Sequence, residues 1–168
     1  NIKKGKYEIT CVSKDEVERQ LKENILPILP IIKEAKTIIN EDLIKEYSDS
    51  LLTKKNLKWH IDTTKSAMRV VEEYIKLAEE QKEKVSDAAS YSLILRLRTL
   101  YIIYCLKRSK LWKKEEFLDL VKKISGSLTA YERYLDSKNN NSKKYELPIE
   151  EAERLMNYIN KKVREMEK

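Results

Sequence analysis

The chain has 168 residues, of which 41% are hydrophobic and 38% are charged, with two glycines and three prolines. So few turn-forming residues argue against a many-stranded β fold and favour long helices, in one domain or one domain with part of another. The net charge is +7, and no signal peptide is visible, so we predict a cytoplasmic protein.

The first forty residues predict a short α/β segment. Residues 6–12, KYEITCV, alternate apolar and polar side chains, as a strand does. Ser13 and Glu16 form a capping box for a helix, and the prolines of ILPILPII follow it. Residues 36–40 are a second candidate strand. Because strands need partners, we interpret residues 1–40 as an α/β remnant, the end of a unit whose main sheet is missing.

From residue 41 onward the pattern is helical, and residues 41–168 are predicted to form a helical bundle. The fold class is therefore mainly α, a helical bundle preceded by a short α/β remnant. The predicted helices begin near Glu41, Asp62 or Thr63, Asp87, Trp112, Ser127 and Pro148. Gly126 is expected to stop the fourth of them, and residues 138–144, KNNNSKK, are expected to form a mobile polar loop.

The most apolar segment is residues 90–108, SYSLILRLRTLYIIYCLKR. It is apolar on nearly every face, so we predict a helix packed from several sides. Its apolar run, residues 93–106, is too short and too charged to span a bilayer. Arg96 and Arg98 must each reach water, a carboxylate or an anion. Two residues apart on a helix, they cannot share a face. One of them is a candidate for a buried salt bridge with Asp136 or Glu132.

The positive charge is concentrated in one part of the chain. Residues 1–95 carry equal numbers of acidic and basic side chains, whereas residues 96–123 carry nine basic and three acidic ones. Such a patch is the usual footprint of a phosphate-bearing partner, and a solvated lysine face has the same composition. Both interpretations stay open at this point.

The last predicted helix carries a narrow apolar seam. Its positions are three and four residues apart: Ile149, Ala152, Met156, Ile159, Val163 and Met166. A seam of this kind docks on a bundle or pairs with a second copy of the chain. Because it is shorter than three heptads, docking within the chain is favoured, and a homodimer stays open.

The cysteines and the single histidine point to no metal or nucleophile. Cys11 and Cys105 are far apart and lack metal-ligand spacing, so we predict free thiols in a reducing compartment. One histidine, His60, gives little support to a multi-histidine metal site or a Cys–His pair. The abundance of Lys, Glu, Ile and Tyr resembles thermophile usage.

The order of these elements resembles the C-terminal half of archaeal predicted nucleotidyltransferases of the DNA polymerase β-like superfamily. The similar stretches are KYEITCVS, SKDEVERQL, ILPILPIIKEAKTII, YSLILRLRTLYIIYCL and SGSLTAYERYLDSKNN. The resemblance implies a small catalytic sheet followed by a helical domain. In that family a Gly-Ser turn, an Asp-x-Asp pair and a third acid hold two divalent ions against a nucleoside triphosphate.

The chain departs from the family pattern where the chemistry lies. It contains no Asp-x-Asp, and its one Gly-Ser, Gly126-Ser127, lies between two predicted helices. Glu8 is placed where the third acid could fall, although a solvent-facing strand glutamate is the commoner explanation. The resemblance therefore implies a chain without the catalytic core and without a cofactor, Mg²⁺ being expected only for an intact nucleotidyltransferase.

The leading hypothesis is a helical substrate-binding region of a nucleotidyltransferase-like protein, not catalytic by itself and not bound to a membrane. It would bind a nucleotide or a nucleic acid, with RNA favoured, through arginine and lysine on phosphates and tyrosine on bases. The candidate residues are Arg96, Arg98, Tyr101, Tyr104, Arg108, Lys110, Tyr131 and Arg133. The alternative is a non-enzymatic module that dimerises or recruits a protein through its last helix.

Overall fold

The computed structural model describes residues 2–4, 7–139 and 147–167, with side chains from residue 10 onward. In these residues the protein is mainly helical, as predicted. The elements are β1 (Ile2–Lys4), β2 (Tyr7–Ile9), α1 (Lys14–Glu23), α2 (Leu29–Glu34), α3 (Glu41–Ser48), α4 (Lys54–Gln81), α5 (Asp87–Lys107), α6 (Lys114–Ser125), α7 (Thr129–Lys138) and α8 (Ile149–Glu167). The chain divides into two compact units, Asn1–Lys58 and Trp59–Lys168. This division lies inside α4, later in the chain than the predicted boundary at residue 40.

In the described residues of the first unit, nothing supports the predicted α/β remnant of a larger sheet. Strands β1 and β2 are three residues each and pair only with each other, as an antiparallel ribbon with Ile2 opposite Ile9. The predicted strand over residues 36–40 is wrong, since this segment is irregular and leaves Ile38 95% exposed. Apolar side chains alone do not make a strand when no neighbouring strand takes up the backbone hydrogen bonds.

Side-chain capping hydrogen bonds determine where α1 and α4 begin. The predicted box at α1 is present, with the Ser13 hydroxyl accepting a hydrogen bond from the Glu16 backbone N–H at 3.2 Å. A second box was not predicted. Thr53 and Asn56 exchange backbone-to-side-chain hydrogen bonds of 2.8 and 3.2 Å, so α4 begins at Lys54 rather than near Asp62. The Asn56 amide also donates to the backbone carbonyls of Leu21 and Leu51.

The second unit is built around α5, which Ser86 caps. Helix α5 packs against α7 and α8, and α8 also packs against α6. Its Leu93, Ile94, Leu97 and Ile103 are fully buried, as expected for a helix covered from several sides. By length and composition α5 is the one described helix that could cross a membrane, but half of it is buried inside the protein, as in the core helix of a soluble domain.

Helix α8 buries half of the predicted seam inside the chain: Ala152, Ile159 and Val163 are buried where α8 packs on α5 and α6, together with Leu155, which was not predicted. Ile149, Met156 and Met166 are half-buried. Gly126 ends α6 as predicted, with a φ of 93°, and the Arg154 guanidinium of α8 donates to the Ser125 carbonyl beside it. The predicted loop at 138–144 lies almost wholly outside the described residues.

Candidate ligand-binding groove

A cavity of about 540 Å³ lies between α5, α6 and α8, and we call it the tyrosine groove. From α5 it is lined by Leu97, Leu100, Tyr101, Tyr104 and Lys107. The α6 side supplies Glu116, Asp119, Leu120 and Lys123, and the α8 side supplies Tyr158, Lys162, Glu165 and Met166. The α5 positions lie three and four residues apart and therefore share one face of that helix. The groove thus has an apolar floor and a rim of charged and aromatic side chains.

Tyr101 is part of the fixed wall of the groove. Its side chain is buried, its hydroxyl donates to a Glu116 carboxylate oxygen at 3.0 Å, and its ring lies 5.7 Å from that of Phe117. Burial raises the pKa of the Tyr101 hydroxyl, and its hydrogen bonds with Cys105 and Glu116 raise it further. Tyr101 therefore stays neutral and shapes the groove rather than offering a free ring face.

Tyr104 is the exposed aromatic ring of the groove. It is 44% exposed, and its ring is stacked 6.5 Å from that of Tyr101, one turn earlier on α5. The Arg108 guanidinium lies 4.5 Å from the centre of the Tyr104 ring, within the range of a cation–π interaction. Two of the predicted tyrosines and one predicted arginine are thus brought together at one site.

Three lysines line the groove, and they differ in their partners. Lys162 donates to Glu165 at 2.7 Å, which raises the pKa of the lysine. In the described part of the chain, Lys107 and Lys123 have no ion-pair partner within 4 Å, although Asp119 also lies on the rim. Glu116 is engaged by Tyr101 and lies 3.8 Å from Lys113. The lining holds three lysines and three acidic side chains, so its charges sum to zero, and in the described part of the chain Lys107 and Lys123 are its ammonium groups without an ion pair.

The other predicted residues lie away from the groove. Arg96 points to α4, where it donates to the Thr63 hydroxyl at 3.3 Å, and burial lowers its pKa. Arg98 lies over the Trp112 ring at 5.1 Å. Neither arginine pairs with Asp136 or Glu132 among the ion pairs of the described residues.

Arg133, Tyr131 and Lys110 also fall outside the groove. The Arg133 side chain is 5% exposed and is bound to Asp87, so it is part of the α5–α7 packing. The Tyr131 ring lies between those of Phe117 and Tyr134, at 6.3 and 5.9 Å. Lys110 is exposed in the connection after α5. The Glu8 side chain is outside the described residues.

His60 is buried and isolated in the second unit. Its Nε2 atom has no hydrogen-bond partner among the described residues. The ring centres of His60 and Trp59 lie 4.9 Å apart in an edge-to-face arrangement. Burial, helped by the nearby charge of Arg96, lowers the pKa of His60 from 6.5 to about 4. The imidazole is therefore neutral near pH 7.

Sequence reasoning missed the side chains that α6 and α8 contribute to the groove. On α6, Glu116, Leu120 and Lys123 recur three and four residues apart, and on α8 the same spacing joins Tyr158, Lys162 and Glu165. These patterns mark one face of each helix. The patterns do not predict which helices pack together, so the site could be identified only from the tertiary structure.

Two further observations bound the chemistry of the groove. No three His, Cys, Asp or Glu side chains of the described residues are grouped so that they could hold a metal ion. Comparison of the chain with protein-family models, with curated proteins and with solved structures finds no match. The resemblance to nucleotidyltransferases therefore stays a hypothesis.

Proposed function

We propose that this protein binds a nucleotide in the tyrosine groove. The observation that carries the proposal is the exposed Tyr104 ring beside Lys107 and Lys123, which have no ion-pair partner in the described chain. An aromatic face accepts a base by stacking, and ammonium groups accept phosphate oxygens. Both chemistries that a nucleotide needs meet in one cavity.

The size of the groove supports a small ligand. At about 540 Å³ it lies within the range of roughly 300–1,000 Å³ that is usual for pockets that bind small molecules. Its apolar floor, from Leu100 and Leu120, suits the covered face of a base, and the charged rim suits a phosphate group that stays partly hydrated. The Arg108 guanidinium lies over the Tyr104 ring, so a base that stacks on that face would displace it, and Arg108 would then add positive charge beside the phosphates.

The nucleotidyltransferase-like role is part of the same proposal. The chain would be a substrate-binding helical region, and we assign no catalytic step to it because it contains no Asp-x-Asp pair. The family resemblance and the lining of the tyrosine groove are the two observations that support this role. Mg²⁺ would enter only with an intact catalytic part.

Calorimetric titration with ATP tests the groove. We expect the double substitution Lys107→Glu/Lys123→Glu to raise the Kd for ATP at least about tenfold, because it places two negative charges where the phosphates would lie. The matched control is Lys110→Glu/Lys114→Glu, which changes the net charge equally, with neither residue lining the groove. The control should shift the Kd less than about threefold.

Substitution of Tyr104 tests the stacking half of the proposal. Tyr104→Phe keeps an aromatic face and should bind ATP nearly as tightly as the wild type. Tyr104→Leu should weaken binding several-fold, since stacking on one aromatic ring contributes about 1–3 kcal/mol. No ATP binding by the wild type at millimolar concentration would reject the nucleotide proposal outright.

A second candidate, single-stranded RNA, is favoured by the spread of positive charge beyond the groove. Seven exposed basic residues lie along the end of α5, the connection between α5 and α6, and α6 itself: Lys107, Arg108, Lys110, Lys113, Lys114, Lys122 and Lys123. A nucleic-acid surface predicts that both double substitutions weaken binding of an oligoribonucleotide equally and reduce its salt dependence. A nucleotide site predicts that they differ.

The interaction module that acts through the last helix has no such support. Ala152, Ile159 and Val163 of its seam are buried where α8 packs on α5 and α6, so Ile159→Asp would disturb folding rather than a dimer. A partner-recruiting role would need another surface.

A further inference from the structure

Arg96 of α5 is half-buried and has no carboxylate partner among the described residues. Its guanidinium donates to the neutral Thr63 hydroxyl at 3.3 Å, and burial lowers its pKa. By contrast, the buried guanidinium of Arg133 is bound to the Asp87 carboxylate. A cation that is taken out of water without a counter-charge costs free energy. The described residues therefore leave the Arg96 charge uncompensated.

His60 lies one turn before Thr63 on α4, and it also has a polar atom without a partner. Its side chain is 7% exposed, and its Nε2 atom has no hydrogen-bond partner among the described residues. The Thr63 hydroxyl, which accepts from Arg96, donates to the Trp59 carbonyl at 2.8 Å and lies 3.3 Å from the His60 carbonyl. Thr63 therefore holds the guanidinium close to the His60 backbone.

The charge beside His60 indicates which partner its Nε2 atom would take. Buried polar atoms in folded proteins are nearly always satisfied, by protein, water or an ion. Water would satisfy the imidazole and leave the Arg96 charge uncompensated. Among the described charged groups, Arg96 is the one that acts on the His60 pKa, and together with burial it lowers this pKa to about 4. An anion would compensate Arg96 and also stabilise a protonated His60.

We propose that Arg96 and His60 bind a phosphate group, with Thr63 as the residue that positions the arginine. One edge of a planar guanidinium carries parallel N–H groups, and these match two oxygens of a tetrahedral oxyanion. His60, which takes a proton from solvent on binding, would donate its Nε2–H to a third oxygen. Neither Arg96 nor His60 lines the tyrosine groove, so this site is independent of the nucleotide proposal.

NMR of the imidazole tests the site directly. The chain contains one histidine, so the Hε1 signal of a folded sample belongs to His60. In sodium chloride we expect this signal to report a neutral ring from pH 7.5 to 5.5, because the pKa is about 4. With about 20 mM inorganic phosphate at equal ionic strength, His60 should become protonated within this range and respond to phosphate saturably. A wild-type signal that phosphate leaves unchanged would overturn the proposal.

Arginine substitutions test which cation holds the phosphate. Arg96→Gln should abolish the response of His60 to phosphate. The matched control is Arg98→Gln, which removes the same charge from the same helix, where Arg98 lies 5.1 Å from the centre of the Trp112 ring. The control should keep the response, and amide spectra should show both variants folded. If Arg96→Gln does not fold, Arg96→Lys keeps the charge without the planar fork and should raise the phosphate Kd at least about fivefold. A response that survives in the folded Arg96 variant, or is lost equally in both glutamine variants, would contradict the site.

Methyl phosphate distinguishes the two sources of a phosphate group. An equal response of His60 to methyl phosphate and to inorganic phosphate would show a site for phosphate esters. A response to inorganic phosphate alone would show a site for the free ion. Phosphate binding at His60 in a protein that binds no ATP would reject the nucleotide proposal and leave this one intact.

Discussion

At the scale of single residues, the polar side chains inside this protein are held in three different ways. Arg133 has a carboxylate partner in Asp87, Arg96 has a hydroxyl partner in Thr63, and His60 is neutral with an unpartnered Nε2. Burial of an unpaired polar atom costs about 1–3 kcal/mol. His60 is therefore a buried residue at which protonation is expected to destabilise the folded protein.

His60 makes the stability of the protein depend on pH. Its pKa is about 4 in the folded protein and near 6.5 when unfolded, so the unfolded chain binds the proton more readily. The stability that His60 allows is complete above pH 6.5 and is lost as the pH falls toward 4. We expect the free energy of unfolding to fall by about 2 kcal/mol between pH 7.5 and pH 5, as measured by urea denaturation.

The control for this prediction is His60→Gln, which keeps a polar side chain without titration in this range. Its free energy of unfolding should change much less between pH 7.5 and pH 5 than that of the wild type. Parallel pH profiles for the two proteins would show that His60 is accessible enough to be protonated in the folded state.

At the scale of elements, helix ends in this protein are set by a few local contacts. Ser13, Ser86 and the Thr53–Asn56 pair satisfy backbone N–H groups at three helix starts. At the end of α6 the chain needs a left-handed residue, and Gly126 supplies it with a φ of 93°. The turn that follows brings Ser125 to Arg154 of α8. The direction of the chain from α6 to α7 thus depends on one glycine.

Replacement of Gly126 tests this dependence. An added methyl group would meet Arg154 Nη2 at 3.6 Å, which is ordinary contact, so space is not the obstacle. The cost comes from the backbone, and we expect Gly126→Ala to lower the free energy of unfolding by about 1 kcal/mol. Gly126→Asn should cost less, because asparagine tolerates the left-handed region. Equal stability of the alanine variant and the wild type would contradict the role given to this φ.

The residues and elements described above show which structural features can be predicted from local sequence. The Ser13 box and the Gly126 stop were predicted because each depends on residues within one turn. The start of α4 was misplaced because Asn at the third helical position is a less familiar partner than Glu. The strand at 36–40 was wrong because pairing is not a local property.

At the scale of the whole molecule, α5 is the helix on which the second unit is organised. It packs against α7 and α8, and its leucines and isoleucines at 93, 94, 97 and 103 are fully buried. A ring-to-ring chain also runs along it, from Tyr91 through Tyr134, Tyr131 and Phe117 to Tyr101 and Tyr104. Unfolding of α5 would therefore disrupt most helix–helix contacts of the second unit.

Hydrogen exchange measures this organisation. We expect the backbone amides of α5 to exchange slowest, at a rate governed by unfolding of the whole second unit. Those of α3 and of the irregular segment around Ile38 should exchange orders of magnitude faster, because few buried side chains hold them. Exchange in α5 as fast as in α3 would show that the core lies elsewhere.

The sequence by itself determined the helical class, α5 as a core helix, the separation of Arg96 and Arg98 onto different faces, and the concentration of positive charge after residue 95. Each of these follows from composition or from the 3.6-residue period, which acts within one helix. Only the tertiary structure decided that Tyr101 and Tyr104 share a groove with Lys123 and Lys162, and that Arg133 pairs with Asp87. The tertiary structure also buried Ala152, Ile159 and Val163 of the α8 seam and left Val70, Tyr74 and Leu77 of α4 exposed. The physical reason is that which helix faces meet depends on contacts between residues far apart in the chain, and a periodic pattern specifies a face but not its partner.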